Sequence, residues 1–213
     1  MKKPFLALLA VLPALGQAQQ SAIDLPDISP THDATIADVP APQVGAWQSF
    51  QGPVGTVSCG RWEVTAVNEN GYLHTACEGY KSQLAVAGNY NLHEIVGPGG
   101  KTVVRFDPWY PLVQFPIVVG SEWTTSYRGQ LFLAELAWDG TLSCRVTALE
   151  SVKVLAGTFE AYRIECYDKR RAPMVETGAT ITAWYAPSVP GVVKTVNHED
   201  GAQNNELVDY GPR

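Results

Sequence analysis

What the chain has little of narrows it first. Apart from one apolar run near its start, Phe5 to Leu15, no stretch approaches the roughly 20 apolar residues of a membrane-spanning helix. Positive charge is scarce: 15 Lys and Arg stand against 21 Asp and Glu, for a formal charge of −6. The one basic cluster, Lys169-Arg170-Arg171, lies just before Pro173 and reads as a solvated hairpin tip. Neutralising phosphates takes clustered Lys and Arg, so nucleic acid and anionic membranes are poor partners. Long helical periodicity is missing too. Gly97-Pro98-Gly99-Gly100 joins two predicted strands with no helix behind it to stabilise an anion, so it is a turn and not a phosphate loop. Ser58 lies in a motif one residue too long for a nucleophile elbow, and in a predicted strand.

The N-terminus carries a pattern of its own. Lys2 and Lys3 precede the apolar run, and Gly16-Gln17-Ala18 places small residues before a cut after Ala18. That is the arrangement of a secretory signal over residues 1–18, and it predicts a periplasmic or secreted protein. A lipoprotein would need a cysteine at the cut, but the first cysteine is Cys59. Residues 19–45 hold Pro26, Pro30, Pro40 and Pro42, several acids and no aromatic. Such a composition cannot bury enough apolar surface to offset chain entropy, and predicts a disordered leader. A single domain over residues 46–213 follows, carrying nearly all of the 6 Trp, 9 Tyr and 6 Phe.

Within the domain almost every segment reads as strand. Val54 to Val67 is β-branched and alternating, Asn70-Gly71 marks a turn, and Tyr72 to Tyr80 returns. Lys101 to Phe106 alternates in the manner of a half-buried strand. Residues 107–120, DPWYPLVQFPIVVG, differ: three prolines forbid a central strand, yet the segment is strongly apolar. It is expected to cross one end of the barrel and plug it with Trp109, Leu112, Phe115 and Ile117. Gln130 to Trp138 reads as strand in preference to a short helix, with Asp139-Gly140 as the next turn. Thr141 to Tyr167 forms a long hairpin about Ala156-Gly157, and Glu176 to Tyr210 supplies the remaining strands. The expected fold is all-β, an antiparallel barrel or half-open barrel of about ten strands.

Four cysteines in an exported chain imply two disulfides, with three possible connectivities. Cys59–Cys77 and Cys144–Cys166 each flank one predicted hairpin, and Gly55-Thr56-Val57-Ser58-Cys59 echoes Gly140-Thr141-Leu142-Ser143-Cys144. Both pairs miss the register of their predicted turns by the same three positions. A bulge at Glu150-Ser151 would repair the second, and cross-pairing such as Cys59–Cys144 stays open. Zinc on His74, Cys77 and Cys59 is the rival reading. It is disfavoured because free thiols oxidise outside the cytoplasm.

Chemistry-bearing residues are sparse, and no catalytic or metal-binding set is expected, nor any cofactor. An envelope hydrolase or metalloenzyme would require at least two of His74, His93, His198, Glu94 and Glu160 to converge. The aromatics offer more. Trp109, Tyr110, Trp123, Tyr127, Trp184 and Tyr185 are candidate ligand-binding residues, since barrel mouths are common sites for apolar ligands.

Three stretches also form a pattern: Val152 to Ile164, Phe115 to Trp123, and Trp184 to Lys194 (Trp-Tyr-Ala-Pro-x-x-x-Gly-x-Val-Lys). Together they resemble a broad group of exported bacterial β-domains, the TapB-like ones among them. The resemblance implies a periplasmic antiparallel barrel or half-barrel and carries no site residues over. The chain thus reads as an envelope domain that binds an apolar small molecule, lipid or peptide. The alternatives are a structural subunit with an envelope protein partner, and the enzyme.

Overall fold

The structure, a computed structural model, describes residues 43–54, 57–58, 60–69, 72–85, 90–189 and 191–211. The expected signal and nearly all of the expected leader lie outside them. The strands in chain order are β1 (Trp47–Gln51), β2 (Pro53–Val54), β3 (Val57–Ser58), β4 (Arg61–Val67), β5 (Tyr72–Cys77), β6 (Tyr80–Ala85) and β7 (Asn91–Val96). There follow β8 (Thr102–Asp107), β9 (Glu122–Leu131), β10 (Leu136–Val154), β11 (Gly157–Ala172), β12 (Val175–Ala186), β13 (Gly191–Asn197) and β14 (Asn205–Tyr210). All but the small β2–β3 pair form one closed antiparallel barrel, sealed where β1 pairs with both β14 and β4. Closure removes the unpaired edges of an open sheet. The expected all-β barrel is therefore what the chain forms. Gly45 already donates its N–H to the Val64 carbonyl at 2.8 Å, so the chain meets the barrel just before β1.

Alternation decides which side is wet. In β9, Glu122, Thr124, Ser126, Arg128 and Gln130 point outward, while Trp123, Tyr127 and Gly129 are buried. A membrane-embedded barrel shows the reverse, with its apolar residues outside. This outer face is one that water solvates.

Twelve strands enclose more space than side chains alone fill; eight give a barrel just wide enough for that. Residues 108–121 reduce the excess, as expected. Val113 and Ile117 are buried in the core with Leu142, Val146 and Ile164, and Leu112 and Phe115 pack against them. The Asn91 side chain grips this segment, with Asn91 Nδ2 donating to the Val113 carbonyl at 2.7 Å and Oδ1 accepting the Val113 N–H at 2.9 Å. Trp109, expected in the plug, is only half-buried and stands outside the core clusters.

The β10–β11 hairpin holds its predicted disulfide. Cys144 and Cys166 are register partners, bonded, and buried on the inner face. The register differs from expectation in an instructive way. The turn is Leu155-Ala156, with Val154 facing Gly157, and the bulge falls at Thr147 rather than at Glu150-Ser151. Moving the turn centre and adding one bulge together account for the three-position miss. Gly157 follows the turn at φ 137°, a conformation that favours glycine. Beyond Tyr162 the hairpin leaves β12, and its tip packs through Val152, Val154 and Phe159 onto Val189, Val193 and Leu207 as a second core.

The earlier hairpin is not its copy. The stretch read as one strand from Val54 to Val67 breaks into β2, β3 and β4, and β4 meets β5 over only a few residues with a bulge at Thr65. Cys77 is disulfide-bonded, and Cys59 lies outside the described residues. Two further expectations are corrected. The chain reverses not at Asp139-Gly140 but at a 3-10 turn, Phe132–Ala134, closed by Glu135 at φ 51°, so Gln130 to Trp138 is not continuous strand. Gly140 lies inside β10, where a Cβ would sit 2.2 Å from the Tyr127 ring; Gly129 likewise makes room for Trp138. Lys169-Arg170-Arg171 is no loop tip either, but the last part of β11.

Candidate ligand cavity

The strand alternation that runs through the disulfide carries on to a polar site. On β11, Tyr162, Ile164, Cys166, Asp168 and Arg170 share the inner face, because residues two apart point the same way. Lys169 and Arg171 point out and pair with Glu176 at 2.8 and 3.0 Å. Asp168 is fully buried, at 0 % exposure. A carboxylate there is tolerable only when its lone pairs are satisfied. They are: Tyr127 Oη donates at 2.7 Å, Tyr110 Oη at 3.0 Å, and Arg170 approaches through Nε at 2.8 Å and Nη2 at 2.7 Å. Trp138 completes the group, its Nε1 3.5 Å from Tyr127 Oη and its ring under the Arg170 guanidinium.

Burial, then the charge of Asp168, holds both tyrosine hydroxyls above their ordinary range, so both stay protonated donors. For Arg170, burial works against the charged form, but Asp168 and the two tyrosines outweigh it and raise its pKa further. At neutral pH the group is an ion pair of zero net charge braced by two phenols.

Next to it lies a cavity of about 390 Å³. Its walls are largely apolar, with Phe50, Trp62, Leu73, Leu92, Ile95 and Phe106 among them, and Arg170 and Tyr110 stand at one place on its lining. The volume falls in the roughly 300–1,000 Å³ range of small-molecule sites, which share this pattern of apolar walls and a few placed polar groups. Thr75 and Ser82, cross-strand partners on β5 and β6, face the cavity and hydrogen-bond each other.

Of the six predicted ligand-binding aromatics, Tyr110 and Tyr185 line this cavity. Tyr127 lies one step back, holding Asp168, and Trp123 is buried in the core with its Nε1 donating to the Pro111 carbonyl at 3.0 Å. Trp184 is on the other face of β12 from Tyr185, where its Nε1 donates to Glu150 Oε1 at 2.7 Å. Trp109 is not part of the lining. The residues that reasoning from sequence missed are Asp168 and Arg170. The signal was present: extending the alternation past Cys166 puts both on the disulfide's face.

Most residues of the enzyme alternative have other partners. His74 bonds Asn68, His93 bonds the Pro108 carbonyl, His198 bonds Thr182, and Glu94 takes Thr102 and Arg105. Among the described residues no hydrogen bond or ion pair joins any two of His74, His93, His198, Glu94 and Glu160, and no group of three or more metal-ligating side chains occurs.

No protein-family model matches the chain, and no curated protein sequence does. The resemblance to TapB-like domains therefore rests on its three motifs alone. Two solved structures are similar in outline. A candidate lipoprotein from Parabacteroides distasonis aligns at 14 % identity and a TM-score of 0.47, over 79 % of this chain and 96 % of its own. A candidate exported protein with a YmcC-like fold from Bacteroides fragilis aligns at 12 % identity and a TM-score of 0.43, over 80 % and 97 %.

Proposed function

We propose that this barrel is a carrier or receptor domain of the cell envelope that holds one apolar small molecule, such as a lipid, in its lumen. The cavity carries this reading: about 390 Å³ of largely apolar space in a barrel already plugged by residues 108–121. A protein selected only for stability would fill such a volume, because cavities cost contacts that neighbouring atoms would otherwise make. The envelope location rests on the signal-like N-terminus, and on an outer face built for water.

Native mass spectrometry of protein purified from its own periplasm tests the reading directly; a bound mass released on unfolding is expected. Val104→Trp, which fills the lumen from β8, should abolish uptake of an environment-sensitive apolar fluorophore and leave the circular dichroism spectrum unchanged. Bare polypeptide in the first experiment, with no fluorophore uptake by the wild type in the second, overturns it.

A further inference from the structure

Resting on the cavity reading above, the geometry points to the ligand's chemical class. We infer that it is an amphipathic molecule whose polar end is an uncharged oxygen group, such as an ester, amide or alcohol, seated against Arg170. A free carboxylate is the poorer fit.

The charge balance of the lumen carries the argument. Arg170 is the single charged side chain among the described residues that line the cavity. An isolated arginine there would select an anion. This one does not stand alone: fully buried Asp168 faces it at 2.7 Å and cancels its charge. A carboxylate brought into the lumen would lose its hydration and meet a guanidinium already neutralised, and close to it a second carboxylate. Desolvation would then outweigh attraction.

Hydrogen-bond capacity points the same way. A guanidinium has five N–H groups, and Asp168 engages only Nε and Nη2, so donors remain on a side chain that is 31 % exposed. Across the lumen, Trp62 on β4 and Gln48 on β1 are register partners lining the cavity, and Trp62 Nε1 and Gln48 Nε2 are buried without an acceptor. What the cavity offers is spare donors with no net charge. A neutral acceptor oxygen answers both conditions.

The test compares three ligands of one chain length, methyl decanoate, decanol and decanoate, by displacement of an apolar fluorophore from the full-length mature protein at pH 8. The ester and the alcohol should bind about tenfold or more tightly than the acid, a margin that one uncompensated charge readily supplies. Lowering the pH through the carboxyl pKa should bring the acid level with the alcohol. Asp168→Asn leaves Arg170 uncompensated, so decanoate should gain on methyl decanoate at pH 8. Should that variant misfold, the wild-type pH series decides. Decanoate binding as tightly as the ester at pH 8 overturns the inference and leaves the cavity reading standing. Failure of all three to displace the fluorophore counts against the cavity reading itself.

Discussion

The two halves of this barrel are built differently. Strands β9 to β12 are long, 10, 19, 16 and 12 residues, and their one shared register shift is the bulge at Thr147. They carry the Cys144–Cys166 disulfide, the buried Asp168–Arg170 pair, and a core in which Leu142, Val146, Ile164 and Ala183 are all at 0 % exposure. Strands β4 to β8 are six or seven residues each, and three of the four pairings among them contain a register shift. Their inward residues Trp62, Ile95 and Val104 form a smaller core of their own, with Leu92 packed against it, and together with Leu73 they also line the cavity. The long-strand half holds the larger core, and the short-strand half a smaller one beside the cavity. Filled space supplies dispersion contacts, and empty space cannot. The long strands thus supply most of the packed core and, through Arg170 and Tyr185, one wall of the cavity, while the short strands supply much of the rest of its lining.

Core truncation should break the comparison most visibly, if it is wrong. Ile164→Ala in the packed half should cost about 3–5 kcal/mol, since the site is hemmed in on all sides and a new void cannot collapse. Leu92→Ala, on the wall of an existing cavity, should cost about 2 kcal/mol or less, because it removes fewer contacts. Urea unfolding of the two variants measures both. Equal costs would mean that the hollow half is as tightly determined as the packed one.

The disulfide comes next. Replacing Cys144 and Cys166 together by alanine should cost about 3 kcal/mol in the chain-entropy model, from a sequence separation of 22. The loss should appear in urea midpoints without a change in fluorophore affinity, because the bond lies with the packed half. A large drop in affinity would show that the cavity depends on the hairpin's rigidity.

How much of this division could be read from sequence follows from where alternation is clean. The β10–β11 hairpin and its disulfide were legible because Val146, Ile164, Cys144 and Cys166 repeat with period two through a long run. The plug was legible because three prolines within an apolar stretch exclude a central strand. The short-strand half was not, because bulges reset the parity every few residues, and Val54 to Val67 looked continuous where the chain breaks twice. The polar site was missed for a different reason. Charge density at Lys169-Arg170-Arg171 suggested a loop, and glycine at 140 suggested a turn. Both belong to strands, the glycine to seat the Tyr127 ring and Arg170 to answer Asp168. Asp168 and Arg170 are neighbours on β11, but the Tyr110 and Tyr127 hydroxyls reach Asp168 from distant segments, and no local pattern announces those contacts.

Alkaline unfolding probes the polar site with a smaller, graded effect. Tyr110 and Tyr127 have folded-state pKa values raised above the ordinary 10.0, by burial first and by Asp168 second. Below pH 10 both are protonated in the folded and unfolded states, so their contribution is fully present. Above it the unfolded chain releases protons that the barrel keeps, and stability falls as pH rises towards the folded values. The slope should be about 1.4 kcal/mol per pH unit for each tyrosine. Tyr127→Phe should lower the slope by about one such increment, leaving the share of Tyr110 and the smaller shares of Tyr90 and Tyr162. An unchanged slope would mean that these phenols are not locked to Asp168.

The gentlest test bears on the hollow half. Thr75 and Ser82 are buried, face each other across β5 and β6, and satisfy each other's hydroxyls at the cavity wall. Thr75→Val keeps the shape but strands the Ser82 hydroxyl, and should cost about 1–2 kcal/mol. Adding Ser82→Ala removes the stranded group, so the double variant should return to within about 0.5 kcal/mol of the wild type, because deleting both partners of a buried hydrogen bond is close to neutral. The same double variant makes that wall more apolar without touching Arg170, so apolar fluorophore affinity should hold or rise slightly. If the double variant is instead less stable than either single one, the Thr75–Ser82 contact organises the short strands, and the hollow half is more exacting than its empty volume suggests.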